Sequence, residues 1–266
     1  MPHPTMSPSP FDAVADTYDR TFTDTTVGRY QRAVVTDILL KRFLPGMHVL
    51  EVGCGTGADT ECLARLGVKV TATDPSSRMI SVAHDRLSRA GLRDRVQLTV
   101  ATAEEVLDDE GHQYDGLLSN FGALNCLESS EIIGKLTGKL LKPGAVGVVC
   151  MLGRWCAWEI VFHLGTLRFR EAFRRIKSDS VDVALGALSI QVIYPSSHDI
   201  ARVCKSSCNH IQTTGVGVLI PPSYLNSLVE RFPTIFRIAQ SVDTKINRLP
   251  VLRNLGDHYC LELQRR

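Results

Sequence analysis

The stretch His48-Val49-Leu50-Glu51-Val52-Gly53-Cys54-Gly55-Thr56-Gly57 decides the fold class. His48 to Val52 is a short β-type run, it breaks into three alternating glycines, and Ala58 to Leu66 follows as a helical segment. Strand, glycine turn and helix is the opening unit of a parallel α/β sheet. Gly67 closes the helix, Val68 to Thr73 is a second β-type run that ends at Asp74-Pro75, and Ser76 to Ala90 reads as the next helix. Val96 to Ala101, Tyr114 to Ser119 and Gly144 to Leu152 continue the alternation as third, fourth and fifth strands.

Beyond Leu152 the rhythm stops. Trp155 to Ile176 reads as one long helix, and Val181 to Tyr194 as a hairpin turning near Gly186. The alternation then resumes with a helix at Ser197 to Lys205, a sixth strand at Ile211 to Leu219, helical material from Pro222 to Ile238, and a seventh strand at His258 to Leu263. Strands alternating with helices predict a doubly wound, mostly parallel seven-stranded sheet of Rossmann-like type, with a lid inserted after strand 5. Residues 1–10 read as a mobile tail, 11–45 as a helical cap with Phe11, Val14 and Tyr18 at helix-like intervals, 46–152 as the ligand-binding core, 153–196 as the insertion and 197–266 as completion of the core.

Composition narrows the function classes. The 266 residues carry 30 Lys and Arg against 28 Asp and Glu, a net charge of +2, with 44% hydrophobic and 22% charged residues. A pI near 8.1 falls short of the basic character that gathers nucleic acid, typically above about 9, so no nucleic-acid partner is expected. The longest run without Asp, Glu, Lys or Arg, Ser206 to Val229, contains Asn209, His210, Gln212, Pro221 and Pro222, so no transmembrane segment is expected. The opening MPHPTMSPSP lacks a basic and an apolar signal region. None of the eight cysteines forms a C-x-x-C pair, and most sit in apolar runs. That pattern predicts reduced structural thiols, no metal site and a cytoplasmic protein.

Glycines at the end of a first strand let backbone N–H groups approach an anionic group at a helix N-terminus. The spacing Gly53-x-Gly55-x-Gly57, preceded by Glu51, departs from the G-x-G-x-x-G of dinucleotide sites. Asp74, at the end of the second strand, stands where one carboxylate holds two ribose hydroxyls. The expected ligand is a nucleoside with a small anionic tail.

VLEVGCGTG, TATDPSSRM, TAEEV and YDGLLSNFGAL, in that order, resemble the motif series of class I S-adenosylmethionine-dependent methyltransferases over about residues 11–152. FDAVADTYD resembles the N-terminal signature of the ubiquinone/menaquinone-biosynthesis type of small-molecule methyltransferase. The resemblance implies S-adenosylmethionine as cofactor, with the homocysteine-bearing S-adenosylhomocysteine as product. Gly53, Gly55 and Gly57 would pass its methionine part with Glu51 nearby, Asp74 would hold the ribose, and Pro75 and Met79 would flank the adenine. Where the family carries an acid before Ala after the third strand, this chain has Thr102-Ala103, with Glu104 as a substitute carboxylate. Ser119, Asn120 and Phe121 would lie beside the sulfonium. Tyr18 reads either as a cofactor contact or as packing under the cap, and Asn120 either as a site residue or as a helix cap.

Methyl transfer from a sulfonium is a direct displacement, so the acceptor side needs a pocket and, for a hydroxyl, a base. His163, Tyr194 and His198 are the candidate bases. Trp155, Trp158 and Phe162 head an aromatic stripe that reads as core or as a lid wall for an apolar or aromatic acceptor. Arg168 to Lys177, five cations against Glu171, reads as a solvated face or as a docking patch for an anionic surface. The expected activity is methylation of a small quinone-like or secondary-metabolite acceptor. A lipid or carrier-bound acceptor and a non-catalytic cofactor-binding module are the alternatives.

Overall fold

The computed structural model describes residues 9–108, 111–177, 180–185 and 188–266. Of the expected tail, residues 1–8 lie outside the described residues, as does the hairpin turn at Gly186. The strands are β1 His48–Val52, β2 Lys69–Asp74, β3 Val96–Val100, β4 Tyr114–Ser119, β5 Leu141–Leu152, β6 Ser180–Leu185, β7 Leu188–Ile193, β8 Cys208–Val216 and β9 His258–Arg265. Seven of them form one sheet in the order β3-β2-β1-β4-β5-β9-β8, and β6 pairs with β7 in a separate hairpin. The first five run parallel, while β9 is antiparallel to both β5 and β8. This is the expected doubly wound sheet. After β3 the chain crosses back to lay β4 on the other side of β1, so the loops leaving β1 and β4 diverge and open a crevice.

Both sheet faces are covered, which is why the central strands are nearly continuous in apolar residues. On one face Val49, Val70 and Leu118 pack with Val34, Val35, Ile38 and Leu39 of the helix Thr26–Arg42 and with Leu63 and Leu87. On the other, Leu50, Leu117 and Val149 pack with Ile133 and Leu136 of the helix Glu131–Leu140 and with Ile200. Cys54, Cys150, Cys156, Cys204, Cys208 and Cys260 are buried free thiols that pack as small apolar groups, and only Cys126 is exposed. Among the described residues no helix is long and apolar enough to cross a membrane.

The insertion corrects one sequence expectation. Trp155 to Ile176 is not one helix but three, Ala157–Gly165, Phe169–Ala172 and Arg174–Lys177, with the chain reversing at Leu167 in the left-handed region (φ 59°). The reason is a buried charge cluster. Arg175 Nη2 bonds Glu159 Oε2 at 2.5 Å and Asp257 Oδ1 at 3.0 Å, and its Nη1 donates to the carbonyls of Gly153 and Asp257. In a continuous helix residues 159 and 175 would stand about 24 Å apart along the axis. Pairing them requires the chain to fold back.

The same contact takes Arg175 out of the basic run Arg168 to Lys177, so that run is not one continuous outward face. Arg175 is buried and the half-buried Arg174 bonds the other oxygen of Glu159 at 2.6 Å, while Arg168 and Arg170 are exposed. Removing one partner of a buried ion pair strands the other's charge. Arg175→Ala is therefore expected to cost about 3–5 kcal/mol by urea unfolding, while Arg170→Ala stays within about 0.5 kcal/mol; equal small losses would mean that the cluster does not hold the insertion.

Candidate cofactor site

Gly53, Gly55 and Gly57 have φ of 75°, 53° and 76°, the left-handed backbone that side chains disfavour. A Cβ on Gly53 would stand 2.2 Å from the Ala123 Cβ, and one on Gly57 2.9 Å from that of Ala83, whereas one on Gly55 would meet nothing within 4 Å. Two glycines thus permit close packing and the middle one faces open space. The loop is tied to the second strand, because the N–H groups of Gly53 and Cys54 both donate to the Thr73 carbonyl. Asp74 completes the tie, its Oδ2 accepting from Gly55 N–H and its Oδ1 from Ser76 N–H, each at 2.9 Å.

A cavity of about 470 Å³ opens over this loop, large enough for a nucleoside-sized ligand. Its walls include Gly53, Gly55, Asp74, Pro75, Met79, Thr102, Ala103, Glu104, Asn120, Phe121 and Tyr18. Glu51, Gly57 and Ser119 do not line it. Gly57 begins the helix Ala58–Arg65, and Glu51 is buried beneath the loop, accepting 2.6 Å from the Thr60 hydroxyl. Burial and then the nearby Asp59 push the Glu51 carboxyl up to about 8. Burial also raises Asp74, against the pull of its two backbone donors. The Thr102 oxygen caps the helix Ala103–Leu107 by accepting from Glu105 N–H at 3.1 Å, which leaves Glu104 as the exposed carboxylate of that wall.

The far wall is organised by contacts no motif announced. Asn120 Nδ2 donates to Asp59 Oδ2 and its Oδ1 accepts from Phe121 N–H, both at 2.9 Å, fixing Phe121 at φ 47°. Arg32 bonds the other Asp59 oxygen at 2.9 Å and lies over the Phe121 ring at 4.9 Å. Behind Phe121 the His258 ring meets it edge-on at 5.5 Å. Tyr18 stands in the same wall, its phenol pushed up to about 12 by burial first and then by Asp59, Asp74 and Asp19, with Arg32 opposing. Phe11, Leu124, Leu127 and Glu128 also line the cavity. Phe11 was legible as an apolar cap residue, but nothing in the spacing of Arg32 and Asp59 signals their contact.

The N-terminal segment is fastened across the opening by three acids spaced four and three apart. Asp12 accepts from the Ser76 hydroxyl at 2.6 Å, Asp16 pairs with Arg78 at 2.7 Å, and Asp19 pairs with Arg86 at 2.6 Å and accepts from Thr56 at 2.8 Å. The β6–β7 hairpin packs on two wall segments, Pro10–Ala13 and Ala123–Cys126, and Asn125 donates to the Ile193 carbonyl at 2.6 Å.

The expected acceptor-side residues lie elsewhere. Trp158 packs on Phe236, ring centroids 6.0 Å apart, within a cluster of Val27, Ile220 and Val229, while Trp155 is exposed ahead of its helix. Phe162 stacks edge-on against buried His163, whose Nδ1 has no partner among the described residues. Tyr194 is buried under the Arg175 guanidinium, and exposed His198 meets Arg202 one helical turn on. None of the six lines the cavity.

Residues 49–144 match the family described as the methyltransferase domain, about a third of the chain and the stretch that carries the glycine turn, Asp74 and the Asn120-Phe121 turn. It is 33% identical over 141 residues to a demethylmenaquinone methyltransferase of Clavibacter sepedonicus, covering 53% of this chain and 55% of that protein. It is 34% identical over 113 residues to a ubiquinone biosynthesis O-methyltransferase of Methylocella silvestris, covering 42% and 43%. The chain thus spans about half the length of these curated relatives. Among solved structures it resembles the CcbJ methyltransferase of Streptomyces caelestis, with a TM-score of 0.62 at 13% identity over 97% of this chain and 98% of that one. A S-adenosylmethionine-dependent methyltransferase of Listeria monocytogenes gives 0.59 at 14% identity over 90% and 99%. At these identities the likeness is one of fold.

The residues of the cavity fit S-adenosylmethionine, the cofactor that the motif series implies. Gly55 leaves space beside its backbone, Asp74 retains free lone pairs for a diol, and Ala103 and Met79 give an apolar slot for a purine. Asp74→Ala is expected to weaken cofactor binding by about 1–3 kcal/mol in calorimetry; unchanged binding would remove Asp74 from the site. Glu51 gives a stability signature. A carboxyl raised in the folded state contributes stability that is full below its unfolded value, near 4.5, and lost as pH rises through about 8. The melting temperature of the Glu51→Gln protein should therefore gain on that of the wild type between pH 5 and 9, and parallel curves would contradict the burial of a protonated Glu51.

Proposed function

We propose that the chain transfers a methyl group from S-adenosylmethionine to a small, apolar or aromatic acceptor of the quinone-like or secondary-metabolite kind, in the cytoplasm. The observation that carries this reading is the single cavity wall in which Gly55 and Asp74 stand at one end and the Asn120-Phe121 turn at the other. The cofactor, when bound, supplies an electrophilic methyl on a positively charged sulfur. The protein's work is to align the acceptor and exclude water, and no covalent enzyme intermediate is needed. Phe121, held at its positive φ by Asn120 and backed by Arg32, is a rigid surface against which a planar acceptor stacks. Phe11, Leu124 and Leu127 supply apolar wall.

A hydroxyl acceptor must also lose a proton. Tyr18 keeps its own proton at neutral pH and acts as a donor that orients the acceptor. Glu104 and Glu128 are the wall carboxylates available to accept a proton, in place of His163, Tyr194 and His198. The β6–β7 hairpin takes the lid role in this reading, in place of the stripe headed by Trp155, Trp158 and Phe162, because it rests on both Phe11 and Ala123 segments. The names of the curated relatives support a quinone-type acceptor.

Incubation with S-adenosylmethionine and a panel of catechols and quinols, read by mass spectrometry, should yield S-adenosylhomocysteine and a product heavier by one methylene. Phe121→Ala should lower kcat/KM by about ten-fold or more through lost alignment while leaving cofactor affinity within about two-fold. Cofactor binding without product across small, lipid and carrier-bound acceptors would favour the binding-module alternative instead.

A further inference from the structure

The helix Pro233–Ile246 buries Phe236 and Asp243 against the body of the protein, yet its outward face carries Ile235, Ile238 and Val242. Their spacing of three and four puts them in one stripe, with Ile235 and Ile238 61% and 62% exposed. A surface helix ordinarily turns polar residues outward, and this face has no partner among the described residues. Its charges are one-sided. Between Arg231 and Arg253 there are five Lys and Arg against one acid, Asp243, and that acid is turned inward to the Tyr30 hydroxyl and the Leu219 N–H. Arg237, Lys245 and Arg248 are all exposed around the stripe, and Phe232 and Leu249 extend the apolar surface at its two ends.

We propose that this helix docks the protein on an anionic lipid surface, the isoleucines entering the headgroup boundary and the cations pairing with lipid phosphates. Cations flanking an exposed apolar stripe match both layers of such a surface. A second copy of this chain matches poorly, since a two-fold contact would set cations against cations. In the other basic run, Arg174 and Arg175 pair with Glu159, which leaves Arg168 and Arg170 as its exposed, unpaired cations among the described side chains. The inference rests on this helix and not on the identity of the methyl acceptor.

Co-sedimentation of the full chain with vesicles of phosphatidylglycerol and phosphatidylcholine tests it. Binding is expected to the mixed vesicles, to weaken about ten-fold in 0.5 M salt, and to be weak on pure phosphatidylcholine. Ile235→Ser with Ile238→Ser, and separately Arg237→Glu with Lys245→Glu, should each lower partitioning about ten-fold, with cofactor affinity and melting temperature unchanged. No binding to mixed vesicles, variants that bind like the wild type, or a wild-type dimer in light scattering that the isoleucine variant converts to monomer would each overturn the proposal. Loss of methyl transfer in solution by these variants is not expected, so failure of the proposed activity reads out separately.

Discussion

The hydrogen bond from Gly55 N–H to Asp74 joins the end of β1 to the end of β2, and the rest of the site is arranged around it. It forms only because Gly53, Gly55 and Gly57 all accept left-handed backbone, which carries the chain off β1 and straight into the helix at Ala58. The same turn brings Gly53 against Ala123 after β4, so two loops that part at the topological switch point are held at a fixed separation. The crevice between them is the cavity.

Charge closes that crevice from the side. The N-terminal segment is fastened by Asp12, Asp16 and Asp19 reaching Ser76, Arg78, Arg86 and Thr56. These partly exposed contacts are individually weak, but together they tie the segment to the glycine turn at Thr56 and to the helix Ser77–Arg89 from its cap, Ser76, to its last turn, Arg86. Arg32 works more deeply, joining Asp59 to the Phe121 ring and through Asn120 to the Phe121 backbone. The cavity is lined both by Asn120 and Phe121 of this inner network and by Phe11 and Tyr18 of the fastened segment.

The insertion follows a different logic. Its course is dictated by Glu159, Arg175 and Asp257, charges that are stable inside only when each finds the others. Satisfying them breaks the expected long helix, turns the middle of the basic run inward and frees the β6–β7 hairpin to rest on the cavity wall. Aromatic residues read as a lid, Trp158 foremost, instead fasten the insertion to the helix Pro233–Ile246.

What the sequence by itself determined was local and periodic. The glycine spacing, the acid closing β2 and the alternation of strand and helix all follow from backbone sterics and one-dimensional pattern, so the doubly wound sheet and many residues of the cavity wall, Asp74 and Phe121 among them, were legible. Even where strand limits shifted, as when β8 began at Cys208 and not Ile211, the cause was a long antiparallel partner, Cys208 facing Arg265, invisible to local pattern. Tertiary structure alone decided the rest. Arg32 and Asp59, or Glu159, Arg175 and Asp257, are far apart in sequence and ordinary in type, and their meaning arises only when burial leaves each charge no partner but the others. That is why the wall behind Phe121, the path of the insertion and the outward stripe of isoleucines became readable only in three dimensions.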